Sequence, residues 1–247
     1  MYHLAAFGSS LAASTQEQLD AITEQQLTIA NDRFLLQQDW NLVFGFAVGT
    51  DLQRARWNQP SMRSVALPWI RPVEDGDDTP DDPGVADYRR SPFRLRGQES
   101  FSVDAFQDNA AAQWAYVVAG LQSSNTPPPV GDIFTIRGTG STTLTADVWN
   151  TVPITWDDNL EGGYYAIIGG EVITATGVAF RVALQGQWIR PGGLCIGDVS
   201  ERTHPMFRNG GLGKWGEFES DALPNIEILA TAADTAQEVY LDIVKIR

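Results

Sequence analysis

The chain has 247 residues, 43% of them hydrophobic, with 31 acidic against 17 basic side chains for a net charge of −14. That length supports two cores of roughly 100–125 residues each, and the acidic balance excludes a surface built to coat nucleic acid, which needs clustered Lys and Arg. No apolar run approaches the ~18 residues of a membrane helix, and a single cysteine, Cys195, excludes an intrachain disulfide.

The first 32 residues contain neither Lys nor Arg, so the charged start of a secretory signal is not expected. Residues 1–13 carry Tyr2, Leu4, Phe7 and Leu11. They read as a short N-terminal segment ordered by contact with a neighbouring subunit or lipid. Ser14-Thr15-Gln16-Glu17 has the form of a capping box, with Leu19 and Ile22 following at helical spacing, which predicts a short helix over 14–24. From Gln25 onward, alternation of period two dominates and Gly, Pro, Asn and Asp punctuate the junctions. Strands are predicted at 25–31, 40–48, 52–57, 63–70, 93–97, 99–106 and 113–121. A second set falls at 150–156, 164–168, 171–176, 178–190, 194–196, 214–219, 225–231 and 237–245.

Between the two sets, residues 122–131 contain Pro127-Pro128-Pro129 and cannot continue a strand. The expected organisation is therefore an N-terminal β-domain over 1–122 with its N-terminal arm, a proline-rich linker over 123–131, and a C-terminal β-domain over 132–247. The last two strands of each half, joined around Asp108-Asn109 and Asp234-Thr235, read as a closing antiparallel hairpin. Trp40, Phe44, Phe101 and Trp114 are the expected core of the first half, and Tyr165, Phe180 and Phe218 of the second.

The halves echo each other. Leu27 and Ile29 precede Val152 and Ile154 by 125 residues, and Trp40, Leu42 and Val43 precede Tyr165, Ile167 and Ile168 by the same offset. Phe101, Val103 and Ala105 stand likewise to Ile226, Ile228 and Ala230, and Trp114, Tyr116 and Val118 to Val239, Leu241 and Ile243. One tetrapeptide recurs outright, as Trp69-Ile70-Arg71-Pro72 and Trp188-Ile189-Arg190-Pro191, at an offset of 119. A duplicated fold drifts in this way, insertions collecting in loops while core positions keep their phase. Two tandem eight-stranded antiparallel jelly rolls suit the strand number and length, in an all-β chain. An immunoglobulin-like pair would carry a Cys–Trp–Cys pattern that one cysteine cannot supply.

Residues able to carry chemistry are few. The two histidines, His3 and His204, lack the spacing of a cupin metal site. Cys195, in Gly193-Leu194-Cys195-Ile196, reads as a small buried apolar residue. Asp157-Asp158 is the form a glycosidase carboxylate pair could take, and equally that of turn acids. Glu74, Asp75, Asp77, Asp78, Asp81 and Asp82 place six carboxylates within nine residues. They are the candidate ligands for calcium, which accepts hard oxygen donors in irregular geometry; the other reading is a solvated acidic loop. The tetrapeptides read either as strand ends stopped by Pro or as partner-recognition elements. No catalytic or cofactor-binding set is expected.

A chain of this length, built as two rolls at an offset of 125 with a proline connector, resembles the double jelly-roll major capsid proteins. These are the tectivirus, corticovirus and adenovirus lineage, and the compact length is most similar to the corticovirus-like type. The resemblance covers nearly the whole chain and rests on architecture, since the lineage shares no diagnostic motif. It implies a non-enzymatic virion protein, in a bacteriophage of the membrane-containing kind, that forms homotrimers of near-hexagonal outline and tiles an icosahedral shell over an internal membrane. Partners would be further copies, neighbouring capsomers and other capsid or membrane proteins, with no direct nucleic acid contact. The loops 72–92 and 191–213 would be towers or inter-capsomer contacts. A carbohydrate- or receptor-binding β-module of a phage spike or tail is the alternative, distinguished by whether the eight tryptophans gather on one exposed face. A bicupin-like enzyme, marked by a bound metal or an internal polar pocket, is the third class.

Overall fold

The computed structural model describes residues 2–62, 69–70, 85–199 and 203–247. The chain divides into two compact units, one of Ala5–Ser123 and one of Met1–Leu4 with Ser124–Arg247. The first residues therefore cluster with the C-terminal half, whereas sequence placed them with the N-terminal one. The start of the proline segment also belongs to the C-terminal unit, where Thr126 O accepts from Lys214 N at 2.9 Å.

The strands of the first half are β1 (Tyr2–Leu11), β2 (Gln16–Leu19), β3 (Thr28–Ala30), β4 (Arg33–Leu35), β5 (Trp40–Gly49), β6 (Leu52–Asn58), β7 (Trp69–Ile70), β8 (Ala86–Asp87), β9 (Phe93–Leu95), β10 (Ser100–Gln107) and β11 (Gln113–Gln122). One sheet runs β1-β11-β5-β8, with β9 also on β5; the other runs β3-β4-β10-β6-β7, with β2 also on β10. The second half has β12 (Ile133–Gly140), β13 (Trp149–Val152), β14 (Thr155–Trp156), β15 (Tyr164–Ile173), β16 (Gly177–Ala183), β17 (Gly192–Ile196), β18 (Gly216–Glu219), β19 (Asn225–Ala230) and β20 (Gln237–Lys245). Here β12-β20-β15-β18 repeats the first arrangement and β13-β19-β16-β17 the second. Both halves are jelly rolls, and the fold is all-β. In the second roll the end of β17 also meets β15 in parallel, Val172 opposite Cys195, which joins its two sheets.

The duplication is thus a duplication of connectivity. Leu52 and Gly177, which open β6 and β16, are 125 residues apart, as are Ser100 and Asn225, which open β10 and β19. Alternate residues of these strands fill the cores. Phe7 meets Phe34 and Phe101 edge-on, and Trp57 stacks on Phe101, in the first roll. In the second, Trp215 lies against Tyr2 and Phe180, and Tyr165 stacks on Phe218.

Several expectations need correction. Residues 14–24 are not helical. Thr15 Oγ1 donates to Ala12 O and to Glu17, and Ala12 N donates to Glu17, so the box closes a turn with Ser14 at φ 49°. Leu19 then faces the core opposite Val103 on β10. The N-terminal segment is not an arm held by other subunits: it is β1, buried from Tyr2 to Gly8 within its own chain. The closing hairpins do not form either. In each roll the last two strands enter different sheets, β10 and β19 in one, β11 and β20 in the other. The polar turns at Asp108-Asn109 and Asp234-Thr235 arch across the sandwich, as each strand needs an apolar face on the core from opposite sides. Trp114 is 44% exposed and stacks on Tyr116 instead of entering the core.

Candidate functional site

The residues nominated from sequence do not converge. Glu74, Asp75, Asp77, Asp78, Asp81, Asp82, Arg71 and Pro72 lie outside the described residues. Trp69 and Ile70 form β7, where Trp69 pairs with Arg56 and Ile70 with Ala55. The second tetrapeptide precedes β17, and the residue opposite Arg181 is Gly192. Arg56 and Arg181 are equivalent positions 125 residues apart, so the second tetrapeptide arrives four residues early and Trp188 stands 51% exposed off the strand. The two tryptophans are not at equivalent strand ends. Fewer residues separate β16 from its motif than separate β6 from the first one, so the second motif falls out of register and has taken a local role.

That role is to hold the chain's first residues. Leu4 N donates to Arg190 O at 2.9 Å, and Arg190 N donates to His3 Nδ1 at 3.1 Å. The Tyr2 hydroxyl donates to Gly192 O, and Gly192 N donates back to it at 3.2 Å. A Cβ on Gly192 would lie 1.9 Å from Phe180 O, so only glycine allows the strand to come this close. Burial pushes the Tyr2 hydroxyl well above the usual tyrosine range, so it stays a donor. Beneath it, Arg181 is buried, pairs with Glu227 at 2.6 Å, reaches Leu4 O at 3.4 Å and lies 3.8 Å over the Trp149 ring. Glu227 also receives Arg190 at 3.4 Å. A carboxylate shared by two guanidiniums and an aromatic face keeps the buried cation compensated.

The other candidate groups are spent on structure. Cys195 is fully buried, and burial pushes its thiol well up, away from the reactive thiolate. His204 caps the 3₁₀ turn Pro205–Phe207, accepting from Met206 N at 3.3 Å. Asp157 pairs with Arg137 at 2.6 Å and Asp158 accepts from Arg137 N at 3.3 Å, so this pair serves one arginine. A second buried charge, missed in the sequence, is Asp242. It receives both arms of Arg208 at 2.7 and 2.8 Å, Asn209 N at 3.0 Å and Thr135 Oγ1 at 2.8 Å. Burial pushes its carboxyl up, but these donors outweigh that and leave it below the usual carboxylate range.

Among the described residues no three His, Cys, Asp or Glu side chains gather to hold a metal, and no helix is long and apolar enough to cross a membrane. A cleft of about 480 Å³ in the second roll is lined by Thr174, Asp198, Asp234 and Glu238, among others. Asp234 there is engaged by Thr174 Oγ1 and the backbone N–H groups of Ala175, Thr235 and Ala236, so it shapes the arch between β19 and β20. Of the described tryptophans, Trp40, Trp57 and Trp215 are buried and Trp114 and Trp188 are exposed. The remaining large exposed apolar side chains include Val130, Ile133 and Phe134, consecutive with the entry to β12.

No protein-family model and no curated protein sequence matches the chain. Solved structures do. The major capsid protein P2 from Bacteriophage PM2 is similar over 100% of this chain and 98% of its own, at 9% identity and a TM-score of 0.26. The STIV MCP is similar over 97% of each chain, at 8% identity and a TM-score of 0.22.

Proposed function

We propose that this chain is a viral major capsid protein whose activity is assembly: copies join into trimeric capsomers that tile the shell of the virion. The observation that carries the reading is the repetition, within one chain, of one complete jelly-roll connectivity. Two similar rolls per chain let three chains present six similar units, so a threefold capsomer fits a lattice of near-hexagonal sites while contacts differ at alternate corners. The spent state of the histidines, the cysteine and the Asp157-Asp158 pair agrees with a structural role. So does the acidic balance of the chain, which leaves genome neutralisation to other proteins. A bacteriophage source and an internal membrane are part of the proposal, carried over from the resemblance. Mass measurement and imaging of the native protein test it. Threefold multiples or closed particles are expected, and a protein that stays monomeric up to ~100 µM, far above the Kd of a specific interface, overturns it.

A further inference from the structure

The two rolls treat one equivalent edge differently. In the first roll the outer edge of β1 is covered by its own chain: Gly8 N donates to Asp20 O at 2.8 Å, and Ile22 N donates to Ala6 O at 2.9 Å. The equivalent strand of the second roll, β12, pairs along its whole length with β20 on one side. On the other side β14 reaches only Gly138 and Thr139, and Asp157 N donates to Arg137 O at 2.9 Å. Because Arg137 points its backbone groups outward, alternation places those of Thr135 and Ile133 outward as well. Among the described residues nothing pairs with them. Ile133 and Phe134 are about half exposed and Val130 fully so.

Such an edge is usually guarded by Lys, Pro or a bulge. Residues 133–135 have none of these, and β12 keeps regular register with β20 throughout.

We infer that the free edge of β12 is a homotypic docking strand, pairing antiparallel with the same edge of a second copy about a twofold axis through Phe134. Three features select a second copy. The free stretch is self-complementary: with Phe134 opposite its counterpart, each outward pair on Ile133 meets the outward pair on Thr135 of the other copy, which closes four backbone hydrogen bonds. Phe134 then occupies a non-hydrogen-bonded position, where facing side chains come closest. Finally, residues 130–136 carry a single charge, Asp132, in a chain of net charge −14. Like-charged copies approach with least repulsion through this stretch. The contact is isologous and distinct from the threefold contacts of a capsomer, and it stands whether or not copies close into a shell.

The test uses the buried state of Cys195, which leaves an engineered thiol as the reactive one. Full-length Phe134→Cys and, as control, Val148→Cys at another exposed site of the same unit, are oxidised with diamide, which accepts the two thiol hydrogens as the disulfide forms. A pair of strands in this register holds the two Cα atoms within disulfide range. Phe134→Cys should cross-link into dimers at least ~10-fold faster than Val148→Cys, through the raised local concentration of the docked thiols. Adding Ile133→Pro, which removes one outward N–H and lies at the first residue of the strand where Pro is tolerated, should abolish that advantage. Equal rates for the two single variants, or an advantage that survives Ile133→Pro in a protein with unchanged melting, overturn the inference. Imaging of the wild-type protein judges the shell separately.

Discussion

Arg181 on β16 lies directly opposite Glu227 on β19 and pairs with it at 2.6 Å; Arg56 on β6, 125 residues before Arg181, lies directly opposite Asp104 on β10, 123 residues before Glu227, at 3.7 Å. A cross-strand pair of arginine and carboxylate thus occurs in both rolls, in two environments. Arg181 is 2% exposed, while Arg56 is 38% exposed. Its own neighbourhood, above all the N-terminal residues seated over it, has made the second copy a buried group.

Arg181→Met should therefore cost about 3 kcal/mol in urea unfolding, since it leaves Glu227 with one distant partner and Leu4 O without its donor. Arg56→Met should cost under ~1 kcal/mol, as an exposed pair does. Equal losses for the two variants would contradict the difference in burial.

The seat of the first residues gives a second expectation. Tyr2→Phe removes the hydroxyl shared by Gly192 O and Gly192 N, and should destabilise by about 1–2 kcal/mol. Deleting residues 1–13 removes all of β1, and circular dichroism should show loss of folding before any question of assembly arises. A truncated chain that melts like the full one would refute this.

Gly192→Ala sets a Cβ against the carbonyl of Phe180 on the neighbouring strand, where the backbone has no rotamer to give way. The expected cost is about 3 kcal/mol, read as a lowered urea midpoint with unchanged slope. Gly186→Ala makes a useful contrast in space, since nothing lies within 4 Å of that Cβ, although φ +73° there adds its own backbone strain.

Acid should act through Asp242. Its carboxyl is held below the unfolded value, so its contribution is complete above the ordinary Asp pKa of about 4 and is lost as pH falls through the lower folded value. Stability measured from pH 7 down to pH 3 should fall below about pH 4. Asp242→Asn should be less stable at pH 7 by about 2–3 kcal/mol, with a flatter acid limb. An unchanged acid limb in the variant would show that other carboxylates carry the transition.

Much of this was legible in the chain itself. Period-two alternation marked β6 and β10 close to their bounds, because each buries one face and largely half-buries the other. The 125-residue echo announced two copies of one fold, since core positions hold their phase while loops drift. β1 escaped because Tyr2–Phe7 is buried on both faces and shows no alternation. The capping box misled because Thr15 and Glu17 can satisfy a turn as well as a helix start, and Leu19 finds its apolar partners on a strand 84 residues away in sequence. The tetrapeptides revealed duplication but not their own placement. Register is set by pairing with a neighbouring strand, and a change of loop length shifts it without altering a letter of the motif. The buried pairs Arg181–Glu227 and Asp242–Arg208, the seating of Tyr2 on Gly192 and the uncovered edge of β12 arise from which strands lie side by side. That follows from packing between residues up to 190 positions apart, which no local pattern encodes.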